Sequence, residues 1–237
     1  MQSKMTTLTT TWTMDQDDVN ALVTAQKWNS WILQVGGTAN HVTWFDHNPF
    51  QEINAEVVYD QSLYAIPATD LTDGAVLNLE GIVHYPVNEG CCYTWDGTGF
   101  VKEKTKCALS SIKVTNMATA PWVVGLTQVD MPICADTLPA PVIPPATPAT
   151  PATPGAAPAG GGGGTNPAPT KPAVDGPNVI MYTPTKTIYV TVGKTYKAAS
   201  VVKDPLTAWT GPFVITTPKS YFEFDNVTQK WAVPTSK

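Results

Sequence analysis

Apolar positions along the chain recur in two rhythms. Between Met14 and Gln34 they fall at Val19, Leu22, Val23, Trp31 and Ile32, with Val35 beyond, an interrupted helical spacing closed by Gly36-Gly37. This predicts one amphipathic helix over 14–34. Thr13 is its expected cap, and Asp15, Asp17 and Asp18 stand where the helix dipole favours negative charge. The DxDD run lacks the glycine and closing glutamate of a calcium loop, so it reads as capping chemistry.

Beyond Gly37 the rhythm shortens to brief apolar or alternating runs bounded by turn residues, the pattern of strands. The runs are 41–45, 55–59, 63–66, 76–79, 81–85, 91–95, 99–102, 111–114 and 122–127. After a long interruption come 179–182, 187–192, 195–200, 213–217, 221–224 and 230–233. Asp96-Gly97 between CCYTW and FVKE, and Gly193-Lys194 between TIYVTV and TYKAAS, read as hairpin turns. A sandwich or small barrel is expected on each side of the interruption.

The interruption is compositional. From Thr137 to Thr170 there is no charged residue, and 11 of the 22 prolines fall between Pro139 and Pro172. The stretch holds three Ala-Thr-Pro triplets (146–154) and five consecutive glycines, Gly160 to Gly164. Such a segment buries too little side chain to offset its ordering entropy. Its proline part favours polyproline II and its glycine part a hinge. Residues 1–138 carry 6 lysines against 15 acids, net −9, and residues 171–237 carry 8 against 4, net +4. The expected class is therefore mainly β: a β-rich domain with one amphipathic helix (1–138), a Pro/Ala/Thr/Gly linker (139–177) and a small antiparallel β-domain (178–237).

Composition narrows the function. All 14 cations are lysines and the net charge is −5. Without arginine the chain lacks the bidentate fork that nucleic-acid readers and phosphoryl-transfer enzymes rely on. Threonine occupies 34 of 237 positions, a β-favouring excess. The longest apolar runs, such as Trp122-Val123-Val124, are far short of a membrane span. The N-terminal MQSKMTTLTTTWTMDQDD shows no basic region followed by an apolar core, so no export leader is expected.

Chemical motifs are sparse. Gly193-Lys194-Thr195 has the tail of a P-loop, but Ile188 stands where its first glycine belongs. His41, Asp46 and His47 could supply metal ligands, yet a turn and surface role fits DHNP better, and no metal or cofactor is expected. A dyad of His84 with Cys91 or Cys107 would place a nucleophile beside a second cysteine on a strand, an odd arrangement, so the chain reads as non-enzymatic. The four cysteines, Cys91, Cys92, Cys107 and Cys134, lack CxxC pairs. They leave open buried free thiols, or two disulfides joining Cys91 and Cys92 separately to Cys107 and Cys134.

Aromatic residues carry the interaction candidates. Trp12, Trp28, Trp31 and Trp44 could anchor a partner or fill a core, and Trp209, Tyr221 and Trp231 could stack on sugars or proteins. Two segments share one logic: Tyr93-Thr-Trp95-Asp96-Gly-Thr-Gly-Phe100-Val101 and Phe222-Glu-Phe224-Asp225-Asn-Val-Thr-Gln-Lys-Trp231-Ala-Val233. Each places aromatics at i and i+2, an Asp opening a turn, and an aromatic after it.

With these hairpins, the low-charge Thr/Val strands, the Pro-Ala-Thr/Gly tether and the leaderless N-terminus, the whole chain resembles bacteriophage virion accessory proteins: head fibres, tail fibres and decoration proteins. The resemblance implies a non-enzymatic virion structural protein made in the host cytoplasm and often homotrimeric. Residues 1–138 would dock on capsid or tail proteins, and 178–237 would project as a trimerising tip or one facing a host glycan or receptor. Pro-Thr linkers joining small aromatic β-modules also look like secreted carbohydrate-binding or adhesin proteins, with Trp209, Tyr221 and Trp231 as the sugar platform. Neither reading involves nucleic acid or membrane.

Overall fold

The computed structural model describes residues 7–37, 40–58, 61–80, 82, 84–142, 178–193, 196–203 and 209–234. In chain order the elements are β1 (Thr7–Thr13), α1 (Gln16–Thr24), β2 (Trp28–Gly36), β3 (His41–His47), β4 (Glu52–Val58) and β5 (Gln61–Pro67). Then come β6 (Tyr85–Pro86), β7 (Cys91–Trp95), β8 (Phe100–Lys106), β9 (Ile112–Asn116), β10 (Trp122–Gln128), β11 (Met131–Pro132) and β12 (Asp136–Leu138). The last are β13 (Val179–Gly193), β14 (Val201–Val202), β15 (Thr210–Val214), β16 (Lys219–Asp225) and β17 (Lys230–Ala232). The fold is mainly β and sandwich-like, as the strand periodicity predicts.

The helix is half its expected length. It ends at Thr24, closed by Ala25 and by Gln26 at φ 51°, with the Lys27 N–H on the Leu22 carbonyl. Its N-cap is Asp15, not Thr13, whose hydroxyl instead reaches the Phe222 carbonyl at 3.4 Å. Trp28–Gly36 becomes a strand because both of its faces are covered. Trp31, Leu33 and Val35 enter the main core, while Ile32 packs on the other side with Tyr196, Val202 and Trp209. A helix could not bury alternate residues on two opposite faces.

Three sheets form. One runs β17-β16-β1-β4; a second runs β11-β10-β5-β6 with β12 also on β10; the third runs β14-β3-β2-β13-β9-β7-β8 with β15 on β13. β1, missed by periodicity because only Leu8 and Trp12 are apolar in TLTTTWT, holds its place through threonine. Trp12 Nε1 donates to Thr10 Oγ1 (2.9 Å), which donates to the Ala55 carbonyl (3.2 Å). The run expected at 76–79 shrinks to a single bridge, Val76 to Ser200; of that at 81–85, Gly81 and Val83 lie outside the described residues and Tyr85 opens the two-residue β6.

The expected separation of 178–237 from 1–138 is overturned by these pairings. The first part of β13 pairs with β9, from Val179–Thr115 to Tyr182–Ile112, and the rest pairs with β2, from Thr183–Gly36 to Gly193–Trp28. β16 lies parallel to β1, and β14 pairs with β3. The physical cause is burial: some sixty residues enclose too little apolar surface alone, whereas here Ile188, Phe222 and Trp231 join Trp12, Trp31 and Leu126 in one core. The expected linker, 139–177, lies outside the described residues from 143 onward. Lys194 and Thr195 of the second expected hairpin lie there too, and Val201–Val202 pair with β3 instead of returning along β13.

Candidate functional site

Most of the aromatic candidates are core, not surface. Trp12, Trp31 and Trp44 are wholly buried, and Trp231 and Trp209 nearly so. Trp12 stacks on Phe222 (centroids 4.2 Å), leans on Trp31 (4.8 Å) and meets Trp231 edge-on (5.2 Å). Trp44 donates its indole N–H to the Gln128 carbonyl at 3.2 Å. Trp12, Trp31 and Trp44 are thus core residues and not exposed partner anchors, and Trp209 and Trp231 offer no exposed face for stacking. Trp28 (36% exposed) and Tyr221 (56% exposed) alone among the seven reach the surface.

The Tyr221 surroundings form a site. Along β16 the side chains alternate, with Phe222 and Phe224 buried and Lys219, Tyr221 and Glu223 exposed. The parallel register sets Thr9, Thr11 and Thr13 of β1 beside these three, and Thr11 is fixed by donating to Asn54 Oδ1 at 2.7 Å. Next to Tyr221 a groove of about 430 Å³ opens between β15 and β16, lined by Pro212, Phe213, Val214, Val233 and Pro234 with Thr217, Lys219 and Ser220. Val214 and Val233 are 60% and 63% exposed, large values for apolar side chains. Among the described residues Lys219 is the one charged residue of the lining. Thr217 donates its proton to the Lys219 carbonyl (2.7 Å), so at its 3.0 Å contact with Ser220 it accepts. A strand at 213–217 is expected from the sequence and is found three residues earlier as β15, but its place beside β16 is not legible there.

The cysteines resolve into one bridge. Cys92 is bonded to Cys107, closing a loop of sequence separation 15, while Cys91 and Cys134 are free thiols. The second disulfide is not formed. Cys91 and Cys92 point to opposite faces of β7, and Cys91 lies beside Lys102 of β8, whose pKa it raises. Cys134 is sunk between β10 and β3, its sulfur accepting the Leu126 N–H at 3.4 Å, and burial pushes its thiol well above the usual range.

The histidines do not converge. His47 packs its ring near Trp31, Phe45 and Phe50 at 5.8–6.3 Å. His41 bridges to Cys134 through the backbone, with its buried Nδ1 unpartnered. His84 Nδ1 lies 3.4 Å from Thr127 Oγ1. Among the described residues no group of three His, Cys, Asp or Glu side chains is placed to hold a metal ion.

The two aromatic-Asp hairpins share their turn chemistry. Asp96 Oδ1 accepts the Thr98 N–H and hydroxyl (both 2.8 Å) and the Gly99 N–H (2.9 Å). Asp225 accepts the Val227 and Thr228 N–H groups and the Thr228 hydroxyl, at 2.9, 3.3 and 2.8 Å. These bonds, the threonine hydroxyl first, lower both carboxyl pKa values. Trp95 then faces Phe100 (4.8 Å) and Phe224 faces Trp231 (5.4 Å) across their strands. Comparison of the chain with protein-family models, with curated proteins and with solved structures finds no match.

Proposed function

We propose that this chain is a non-enzymatic structural protein of a bacteriophage particle, a fibre or decoration protein that attaches to capsid or tail proteins and presents a binding surface outward. The observation that carries the reading is the Tyr221 groove, an exposed aromatic and apolar surface at a sheet edge. Such a surface suits contact with another macromolecule. The paired Asp-turn hairpins on which the resemblance rests lend further support. Because the two halves share their sheets, attachment and presentation belong to different faces of one body, not to two bodies on a tether. Self-association, with a trimer as the first expectation, completes the reading.

Co-sedimentation of the tagged full-length chain with purified particles, with multi-angle light scattering of the free protein, tests it. A homo-oligomer that travels with particles is expected. A monomer absent from particles and recovered on polysaccharide would favour a secreted carbohydrate-binding or adhesin protein, a second reading to which the same groove gives weight.

A further inference from the structure

We propose that copies of this chain associate head to tail, the lysines of β8 in one copy docking on the acidic end of the sheet β17-β16-β1-β4 in the next. The inference rests on the self-association of the reading above and names its two surfaces. Glu223, Thr13 and Glu52 lie side by side across β16, β1 and β4, facing away from the core, with both glutamates exposed. From Thr13 the chain turns into Asp15, Asp17 and Asp18, and Asp225 stands near Asp18. Lys230, opposite Asp225, offsets one of these six acids. The segments that border this end, 14–15, 48–51 and 226–229, are all described and contribute no cation. Asp18 shows what is missing. It is 6% exposed, and among the described residues its carboxylate has no hydrogen bond or ion pair. Its burial first, and the charges of Asp15, Asp17 and Asp225 next, raise its pKa. A carboxylate held among carboxylates favours an incoming ammonium.

The complement is on the same chain. Residues 1–138 are net −9, yet four of their six lysines fall between 102 and 113, and no acid occurs from 104 to 129. Lys102, Lys104 and Lys106 are exposed on β8, the last strand of its sheet. Register sets Lys102 opposite Tyr93 and Lys106 opposite Cys91, on one side of that sheet. The bulge between them leaves the two lysines only two residues of β7 apart, about 7 Å instead of about 13 Å. Glu52 and Glu223 are two strand spacings apart, about 10 Å, which a pair of long lysine side chains can match. Tyr221, exposed one row along β16, offers a ring face to a further ammonium. A contact between two unlike surfaces repeats in one direction and can close as a ring, a trimer included.

Sedimentation velocity of the full chain at about 50 µM, in low and in high salt, tests this. An oligomer is expected at low salt and should dissociate as salt rises toward about 0.5 M, because exposed ion pairs are screened. One triple variant carries Lys102→Glu, Lys104→Glu and Lys106→Glu; the other carries Asp17→Lys, Glu52→Lys and Glu223→Lys. Each alone should weaken association about tenfold or more, the worth of a few exposed pairs, and an equimolar mixture of the two should reassociate. All six side chains are exposed, so circular dichroism should report intact folds. A wild-type chain still monomeric at about 100 µM in low salt, an oligomer indifferent to salt or to both variants, or a mixture that stays monomeric would each overturn the proposal. An indifferent oligomer leaves self-association standing, with the lysines serving to keep the β8 edge from pairing. An oligomer that obeys the charge reversals but does not sediment with particles retires the virion reading alone.

Discussion

Asn116 and Asn178 hold each other: the Asn116 N–H donates to the Asn178 carbonyl at 2.9 Å, and the Asn178 side-chain amide returns a bond to the Asn116 carbonyl at 2.9 Å. The Asn116 side chain shares its two hydrogens among the carbonyls of Ala120 (2.9 Å), Leu138 (3.2 Å) and Pro139 (2.9 Å). The chain thus departs at Pro139 and returns at Asn178 against one residue. Asn116 is fully buried, and its Oδ1 accepts the Ala118 N–H at 2.9 Å. Asn116→Ala would strand several buried backbone groups. We expect a loss of about 2–3 kcal/mol in urea unfolding, and Asn116→Asp, which also lacks the donor, should not restore it.

Pinned ends make the intervening length a matter of loop closure, about 0.6 kcal/mol per doubling. Replacing residues 143–176 by about eight residues should keep a single cooperative transition and raise stability by about 1 kcal/mol. Residues 178–237 alone should give the circular dichroism of an unfolded chain, since β13 loses β2 and β9 while β16 loses β1. A folded fragment would restore the picture of two independent bodies.

Asn29 is buried on β2, and among the described residues neither of its side-chain polar atoms has a partner. An unsatisfied buried amide costs about 1–3 kcal/mol. Asn29→Leu, which keeps the branched four-atom skeleton, should therefore raise stability by about 1 kcal/mol, read as a higher urea midpoint at unchanged slope.

His41 provides a pH test. Burial lowers its pKa from the ordinary 6.5, so the unfolded chain binds its proton first and the folded state resists it. Stability should hold above pH 6.5 and fall as pH drops from there through the lowered folded value. His47, lowered by burial with Asp46 opposing, acts in the same direction. His41→Gln should flatten part of this acid limb in melts recorded between pH 7.5 and 5.

Strands 91–95, 122–127 and 221–224 and the Asp96 turn were legible because their signals are local: an Asp accepting from residues two and three positions on, and alternation over five to seven residues. Trp28–Gly36 was not, since its apolar residues also fit a broken helical spacing and only neighbours on both faces make it a strand. The Tyr221 site was half legible. Its exposed aromatic could be named in advance, but not that Trp209 and Trp231 would be buried while Pro212 and Val214 closed the groove from a strand that pairs elsewhere.

By itself, then, the amino-acid sequence determined the mainly β character, the turn residues and the uncharged Pro/Gly stretch, all properties of neighbouring residues. Tertiary structure decided which strands are partners: that β13 lies between β2 and β9, that β16 runs beside β1, and that two halves of opposite charge share one core. Hydrogen bonds in a turn are closed by residues a few positions apart. The burial that selects strand neighbours is non-directional and indifferent to distance along the chain, so any apolar face can claim any other until the whole molecule is packed.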